Sequence, residues 1–410
     1  MPYSGFNDHN GGNPMAQAIP APRTEYPVAL TSSLAILGLA LLLQGLVDNR
    51  HALLFLIAVG LGVTLLHAAF GFSSVWRNFI RRRESAGLRA QLLLFMVTTA
   101  LFFPVIDQVF PGLRATSAMG PVGISVLVGA FLFGIGMELG AGCGSGTLFT
   151  VGQGHVNMLI TLAFFIVGSL IGTAHLPWWT SLPNIGRVSV IRELGGWLPA
   201  AAIQIAVLAG LFWIVRSLEW RRHGRLKPLT LTDDRPFSER LVFGPWSWAW
   251  GVAGLALFSF LTLLVAGYPW SITFAFGLWG AKIYTALGGD VSTWTYWSAG
   301  YPARALQRPV LADITSVMDF GIILGAMLAA ALAGKFAPAK RIDWRLVAAS
   351  VVGGLLLGYG ARLAFGCNIG GMFAGIASGS LHGWLWMLAG FAGTWVGVRI
   401  RIWAGLDKPY

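Results

Sequence analysis

The chain has 410 residues, of which 56% are hydrophobic and only 11% are charged. In soluble domains about a quarter of all residues are charged, so this composition excludes an ordinary soluble domain. The formal net charge of +12 does not indicate nucleic-acid binding, because the lysines and arginines lie in short connectors beside apolar segments, as the positive-inside rule predicts for a membrane protein.

Residues 1–26 are polar and lack the charged start and apolar core of a signal peptide, so we expect a flexible tail there. Apolar blocks of roughly the length that crosses a bilayer follow along the rest of the chain. They lie near residues 29–47, 51–76, 91–110, 121–142, 156–176, 197–215, 247–266, 270–288, 311–334, 346–366 and 382–403. The sequence therefore predicts an all-α polytopic membrane protein with about nine to ten spanning helices.

Three basic connectors separate these blocks and set the expected orientation. Arginines cluster over residues 77–89 and again over 216–244, and lysines and arginines cluster over 335–345. By the positive-inside rule, we expect the first two connectors to face the cytoplasm. We therefore divide the chain into a first transmembrane repeat at residues 27–215, a basic cytoplasmic connector at 216–244 and a second transmembrane repeat at 245–410.

An internal repeat supports this division. Residues 134–149 match residues 358–373 at a single offset of 224 residues (358 minus 134), and seven aligned positions are identical. In the first copy these are Gly134, Gly136, Leu139, Gly142, Cys143, Gly146 and Phe149. A duplicated membrane protein with broken helices at corresponding positions is typical of transporters, whose substrate site lies between the repeats. We therefore expect a pseudo-two-fold repeat that includes re-entrant half-helices.

The only two cysteines of the chain, Cys143 and Cys367, occupy the same position in the two copies. Glycines surround both, and each glycine destabilises a helix by about 1 kcal/mol relative to alanine, so we expect the helix to break there. A short helix that restarts beyond the cysteine would point its free N–H groups at the thiol and favour an anion. A lone buried cysteine is usually a small hydrophobic residue, but two at matched positions favour a functional role.

A polarisable thiol is suited to a substrate that is itself a sulfur-containing anion. The residues expected to line its transport pathway are Cys143, Cys367, Gly142, Gly144, Ser145, Gly146, Gly366, Asn368, Gly370 and Lys282. Ser145 and Asn368 offer hydrogen bonds beside the thiols, whereas Lys282 either attracts an anion or extends to the membrane interface. Neither cysteine belongs to a zinc or thioredoxin motif, so we expect no metal, no cofactor and no catalytic residue.

Charged residues inside apolar blocks are further candidates for function. Glu138 and Arg362 occupy the same repeat position with opposite charges, and we interpret them as a structural ion pair across the pseudo-symmetry axis. Asp313 and Asp319 lie near the start of another apolar block. They could couple transport to protons, although a polar helix end is the favoured interpretation.

These residues carry a family resemblance. The pattern Gly-x-Gly-x-x-Leu-x-x-Gly-Cys-x-x-Gly occurs at Gly134–Gly146 and again at Gly358–Gly370, and on it the chain resembles the YeeE/YedE family of sulfur-compound transporters. The resemblance implies a compact bundle of spanning and re-entrant helices in a bacterial inner membrane, which takes up thiosulfate or a related anion. It also implies that Cys143 and Cys367 hand the anion along, with a cytoplasmic sulfur-carrier protein as a possible acceptor.

The chain departs from the family in one respect, and two alternative functions stay open. Relatives can have a further cysteine in the first hairpin of the second half, where this chain has Gly-Ala-Lys-Ile at residues 280–283. Some relatives are linked to selenium metabolism, so a transporter of a selenium compound is one alternative. The other is a membrane enzyme that transfers or reduces sulfur, which needs a second thiol or a base beside the nucleophile.

Overall fold

The computed structural model describes residues 24–231, 233, 235–338 and 343–407. Residues 1–23 of the predicted tail, residues 339–342 of the third basic connector and residues 408–410 lie outside the described residues. Regular structure in the described ranges is helical, with isolated β-bridges and no strand. Nine helical stretches there are long and apolar enough to cross a membrane, which confirms the all-α polytopic fold of a multi-pass membrane protein.

The long helices follow the predicted apolar blocks, and short helices lie between them. In chain order the helices are α1 (Tyr26–Leu46), α2 (Asn49–His67), α3 (Phe72–Arg82), α4 (Ala86–Ile106), α5 (Ile124–Leu139), α6 (Gly144–Gly152), α7 (Val156–Ser181), α8 (Val190–Glu193), α9 (Trp197–His223), α10 (Phe237–Phe243), α11 (Trp248–Ala266), α12 (Thr273–Ala286), α13 (Gly300–Gln307), α14 (Ile314–Leu332), α15 (Trp344–Leu363), α16 (Ala374–Ala377) and α17 (Leu381–Trp403). A π-helical turn over Asn368–Phe373 leads into α16.

α5 packs against α15 and α17, α15 also packs against α7, and glycines let the backbones of these helices approach each other. A Cβ atom at Gly129 of α5 would lie 2.6 Å from the backbone nitrogen of Ala364, and one at Gly360 of α15 would lie 2.6 Å from the carbonyl oxygen of Gly129. Farther along α5, a Cβ atom at Gly136 would lie 2.8 Å from the nitrogen of Leu357. Residue numbers therefore rise along α5 as they fall along α15, so the two helices are antiparallel.

The predicted ion pair between Glu138 and Arg362 is not formed. Glu138 instead pairs with Arg77 of α3, whose Nε atom lies 2.5 Å from its Oε2 atom. Arg401 of α17 donates to the carbonyl oxygen of Glu138 at 2.6 Å. The antiparallel packing is the reason, because it places repeat-matched positions of α5 and α15 at opposite ends of the helix pair. Glu138 lies beside the middle of α15, and Arg362 is roughly 12 Å farther along that helix.

Candidate functional site

The chain turns tightly between α5 and α6, and again between α15 and the π-helical turn. Ala141 in the first turn and Phe365 in the second have φ values of +60° and +57°, in the left-handed region that residues with a side chain rarely adopt. The two positions differ by the repeat offset of 224 residues (365 minus 141). A left-handed residue ends a helix and redirects the chain, so each long helix stops just before its cysteine. Re-entry of the short helices into a bilayer stays a prediction.

Each cysteine caps the helical segment that follows it. The Sγ atom of Cys143 accepts a hydrogen bond from the backbone N–H of Gly146 at 3.4 Å and lies 3.4 Å from the hydroxyl oxygen of Ser145. The Sγ atom of Cys367 accepts from the backbone N–H of Ile369 at 3.4 Å. Both cysteines are fully buried. Each thiol therefore lies where free backbone N–H groups concentrate positive potential.

The structure brings the two cysteine motifs together. A Cβ atom at Gly144, the first residue of α6, would lie 2.9 Å from the Sγ atom of Cys367. The start of α6 therefore contacts the second thiol, while Cys143 caps the same helix end. Only glycine permits this contact, because a side chain at position 144 would occupy the space of the sulfur. The sequence had left open whether the two cysteines are close to each other.

A cavity of about 510 Å³ lies beside the second cysteine motif. Phe365 lines it, and so does the segment that joins α11 to α12, which includes Trp270 and Ser271. The hydroxyl oxygen of Ser271 lies 2.9 Å from the position of a Cβ atom at Gly370, so this segment separates the cavity from the backbone around Cys367. The cavity has room for a small anion with several water molecules.

Arg362 supplies a positive charge to this cavity. Its side chain lines the cavity, and only 8% of the residue is exposed. The guanidinium group donates to the hydroxyl oxygens of Tyr296 and Thr273, each at 3.0 Å. Its Nε atom has no partner in the described part of the chain. These hydroxyl groups orient the guanidinium but carry no charge to neutralise it. A buried cation held in this way attracts an anion.

Two further polar side chains near the cavity and the thiols have no hydrogen-bond partner among the described residues. The indole N–H of Trp270 is buried at the cavity wall, and the amide nitrogen and oxygen of Asn368 are buried next to Cys367. Buried polar groups normally have a hydrogen-bond partner, and those without one are frequent at functional sites. Sequence reasoning selected Asn368 from the motif but missed Trp270, Thr273 and Tyr296. Their sequence neighbourhoods carry no signal that separates them from residues that simply pack in a membrane protein.

Lys282, predicted to lie on the pathway, is not brought to the thiols. Its Nζ atom donates to the carbonyl oxygens of Leu306 at 2.8 Å and Arg308 at 2.7 Å, at the end of α13, and it does not line the cavity beside Cys367. The positive charge of the site comes from Arg362, which the sequence had assigned to an ion pair. The sequence did contain a signal for this position of Arg362, because a charged residue within an apolar block is a candidate for a functional role.

Comparison with known proteins places these features in a family context. The model of a family described as sulphur transport matches residues 67–396, which contain both cysteine motifs. The probable transporter YedE of Salmonella typhimurium is 34% identical over 169 residues, an alignment that covers 40% of this chain and 40% of that protein. The alignment with this relative therefore spans less than half of its length.

Two thiosulfate transporters align over most of the chain. The thiosulfate transporter TsuA of Spirochaeta thermophila is 26% identical over 340 residues, which cover 82% of this chain and 94% of that protein. The thiosulfate transporter TsuA of Escherichia coli is 23% identical over 348 residues, which cover 82% of this chain and 90% of that protein.

Proposed function

The chain belongs to the sulphur transport family, and from this premise we propose that it carries a small sulfur-containing anion, such as thiosulfate, across the membrane past Cys367 and Cys143. The names of the curated relatives indicate a transporter rather than an enzyme. One observation carries the proposal for this chain. The thiol of Cys367 contacts the start of α6, whose N-cap is the thiol of Cys143, so an anion that leaves one thiol is already beside the next.

The cavity is the entrance to this route. Arg362 provides the charge that concentrates an anion there, and the indole N–H of Trp270 provides an unused donor. An anion that moves on from the cavity towards Cys367 passes Ser271. Binding at each point must remain weak, because a site that holds the anion tightly does not release it. Thiols serve this purpose, since the S–H group is a weak donor and the sulfur is polarisable.

The direction of transport follows from the basic connectors. α14 begins beside the cavity at Ile314 and ends next to the third basic connector. α6 runs from the thiols to Gly152, and two residues later a Cβ atom at Gly154 would lie 3.1 Å from Phe336 of that connector. By the positive-inside rule, the cavity faces the outside and α6 points to the cytoplasm. The route from the cavity to Cys367 and then Cys143 therefore leads inwards. Delivery to a cytoplasmic sulfur-carrier protein is a further prediction.

Uptake by purified protein tests the proposal. In lipid vesicles that contain the protein, we expect saturable accumulation of radiolabelled thiosulfate above that of protein-free vesicles. Unlabelled thiosulfate should compete, whereas sulfate, which exposes no soft terminal sulfur, should compete weakly. Selenite or selenosulfate as the stronger competitor would favour the selenium alternative. Accumulation no greater than that of protein-free vesicles would overturn the proposal, and a persulfide on Cys143 that forms during turnover, found by mass spectrometry, would favour the sulfur-transferring enzyme.

Alanine at Gly144 should obstruct the route without removing any functional group. The added Cβ atom would lie 2.9 Å from the Sγ atom of Cys367, so the thiol or the start of α6 must move. We expect the uptake rate to fall about tenfold, which corresponds to about 1.4 kcal/mol.

The matched control for this variant is Gly210→Ala in α9, where nothing lies within 4 Å of the added atom. Both variants place alanine in a helix, which favours helix formation similarly. We expect Gly210→Ala to transport like the original protein. Equal uptake by the two variants would show that the contact between Gly144 and Cys367 does not matter for transport.

A further inference from the structure

A buried carboxyl group lies in the bundle without a hydrogen-bond partner among the residues that the structure describes. Asp319, in the first half of α14, is fully buried, and neither of its carboxylate oxygens has a partner in those ranges. An ionised carboxylate without a counter-ion is costly in such surroundings, so the neutral acid is the form that these surroundings accommodate. The favoured sequence interpretation, a polar helix end, applies to Asp313, which caps α14 through the N–H of Ser316. It does not account for Asp319.

The carboxyl group faces the helix that begins at the thiols. Ile323 and Ala326 lie on the same face of α14 as Asp319, at spacings of four and seven residues. This face packs on α6, because a Cβ atom at Gly152, the last residue of α6, would lie 3.0 Å from the Cβ atom of Ala326. Along α14, Asp319 lies about 10 Å closer than Ala326 to the first residue of the helix. Ala326 is level with the last residue of α6, and α6 is about as long as this distance, so Asp319 is level with the first residue of α6.

Asp319 is also close to the cavity. Thr315 and Met318, one turn away and one residue away on α14, both line the cavity beside Cys367. Asp319 itself is fully buried and does not line the cavity, so we expect a proton to reach it past these two residues, from the same side as the anion. The chain around the thiols offers no other carboxyl group with two free oxygens among the described residues.

Within the described part of the chain, no side chain forms a hydrogen bond with Asp319. The elements packed against α14 carry several titratable or charged side chains: Glu25 and Tyr26 at the start of α1, Asp48 before α2, Arg50, His51 and His67 of α2, Cys143 before α6, Glu239 and Arg240 of α10, Lys282 and Tyr284 of α12, and Asp313 and Cys367 beside α14. The basic groups among them lie towards the ends of their helices, and Lys282 donates to carbonyl oxygens of Leu306 and Arg308. Asp319 therefore gains stability from a proton rather than from an ion pair.

We propose that Asp319 is a proton-binding site of anion uptake, so that each anion crosses together with a proton held by this carboxyl group. The inference rests on the proposed function. An ionised Asp319 beside the thiols would repel the anion, whereas the protonated acid donates its O–H group towards it. Once the anion leaves for the cytoplasm, the proton of Asp319 dissociates to the cytoplasmic side. The carboxylate then binds a new proton from the side of the cavity. Because the two ligands occupy neighbouring sites, each raises the affinity for the other.

The flux of protons with the anion tests this inference. Vesicles that contain the protein and an internal pH-sensitive dye should acidify inside when thiosulfate is added outside. In the pH range in which the carboxyl group of the free protein is mostly ionised, a lower external pH should strengthen the apparent affinity for thiosulfate. The gain should be up to about tenfold per pH unit, because one proton binds with each anion. Asp319→Asn keeps the size and a hydrogen-bond donor but cannot release a proton. We expect it to take up radiolabelled thiosulfate without acidification and with a flat pH profile.

Asp313→Asn on the same helix is the matched control. Asparagine caps a helix as well as aspartate does, so this variant should keep the acidification and the pH dependence. Uptake by the original protein without any acidification would overturn the inference whether or not Asp319→Asn folds. Acidification by Asp319→Asn equal to that of the original protein would also overturn it. Absence of thiosulfate uptake by the original protein would instead overturn the proposed function, so the two failures are distinguishable.

Discussion

Alanine in place of Cys367 should lower thiosulfate uptake by about tenfold or more, and Cys143→Ala should do the same. On the proposed route the anion contacts each thiol in turn, and loss of one hydrogen bond of about 1.5 kcal/mol or more corresponds to at least about tenfold in rate. The two losses should not multiply fully in the double variant, because the effects of changes within one shared site are rarely additive. The measurement is initial uptake of radiolabelled thiosulfate per unit of folded protein in vesicles.

Serine at the same positions separates the chemistry of the thiol from its size. Serine keeps a donor and a helix cap but lacks the polarisable sulfur, so we expect uptake between those of the original protein and the alanine variants. Ser259→Ala in α11 is the control, because this side chain is equally buried, has no partner and does not line the cavity. It should leave uptake unchanged. Normal uptake by both cysteine-to-alanine variants would remove the thiols from the route.

Glutamine in place of Arg362 should weaken the apparent affinity for the anion by about 10- to 100-fold. Hydrogen bonds to a charged group contribute about 1.5–3 kcal/mol, and glutamine keeps polarity but loses the charge. The half-saturating concentration of thiosulfate should rise more than the maximal rate falls. Arg362→Lys keeps the charge but not the planar group that Tyr296 and Thr273 orient, so it should recover part of the affinity.

Arg192→Gln is the charge control for this series. Arg192 lies on an exposed part of α8 and does not line the cavity, and its removal changes the net charge equally. If Arg362 is only structural, its glutamine variant will show a lower melting temperature and unchanged affinity per folded molecule. That outcome would return Arg362 to the structural role that the sequence suggested.

The predicted ion pair between Glu138 and Arg362 shows how an internal repeat can mislead. Equivalent positions in the two copies invited this pairing, yet an antiparallel arrangement moves equivalent positions apart. Glu138 pairs with Arg77 and contacts Arg401 through its carbonyl oxygen, which ties α3, α5 and α17 together. Within the described part of the chain Arg362 pairs with no carboxylate, and its side chain lines the cavity instead.

The sequence by itself determined the fold class and the two cysteine motifs. Apolar blocks of spanning length fix a helical membrane protein, since only helices satisfy every backbone group within one segment. The glycines around Cys143 and Cys367 identify where the helices break, because they weaken the helix locally. These signals are local, so they can be read from residues that are neighbours in the chain.

The tertiary structure alone decided which of these residues meet. The contact between Gly144 and Cys367, the cavity at Arg362 and the unpartnered Asp319 beside α6 all join segments that are far apart in the sequence. Their positions depend on the direction and depth at which helices pack, and hydrophobic blocks of similar length specify neither. The sequence therefore identified the cysteines and named Arg362 and Asp319 only as candidates, whereas the packed bundle placed Arg362 at the cavity and Asp319 beside α6.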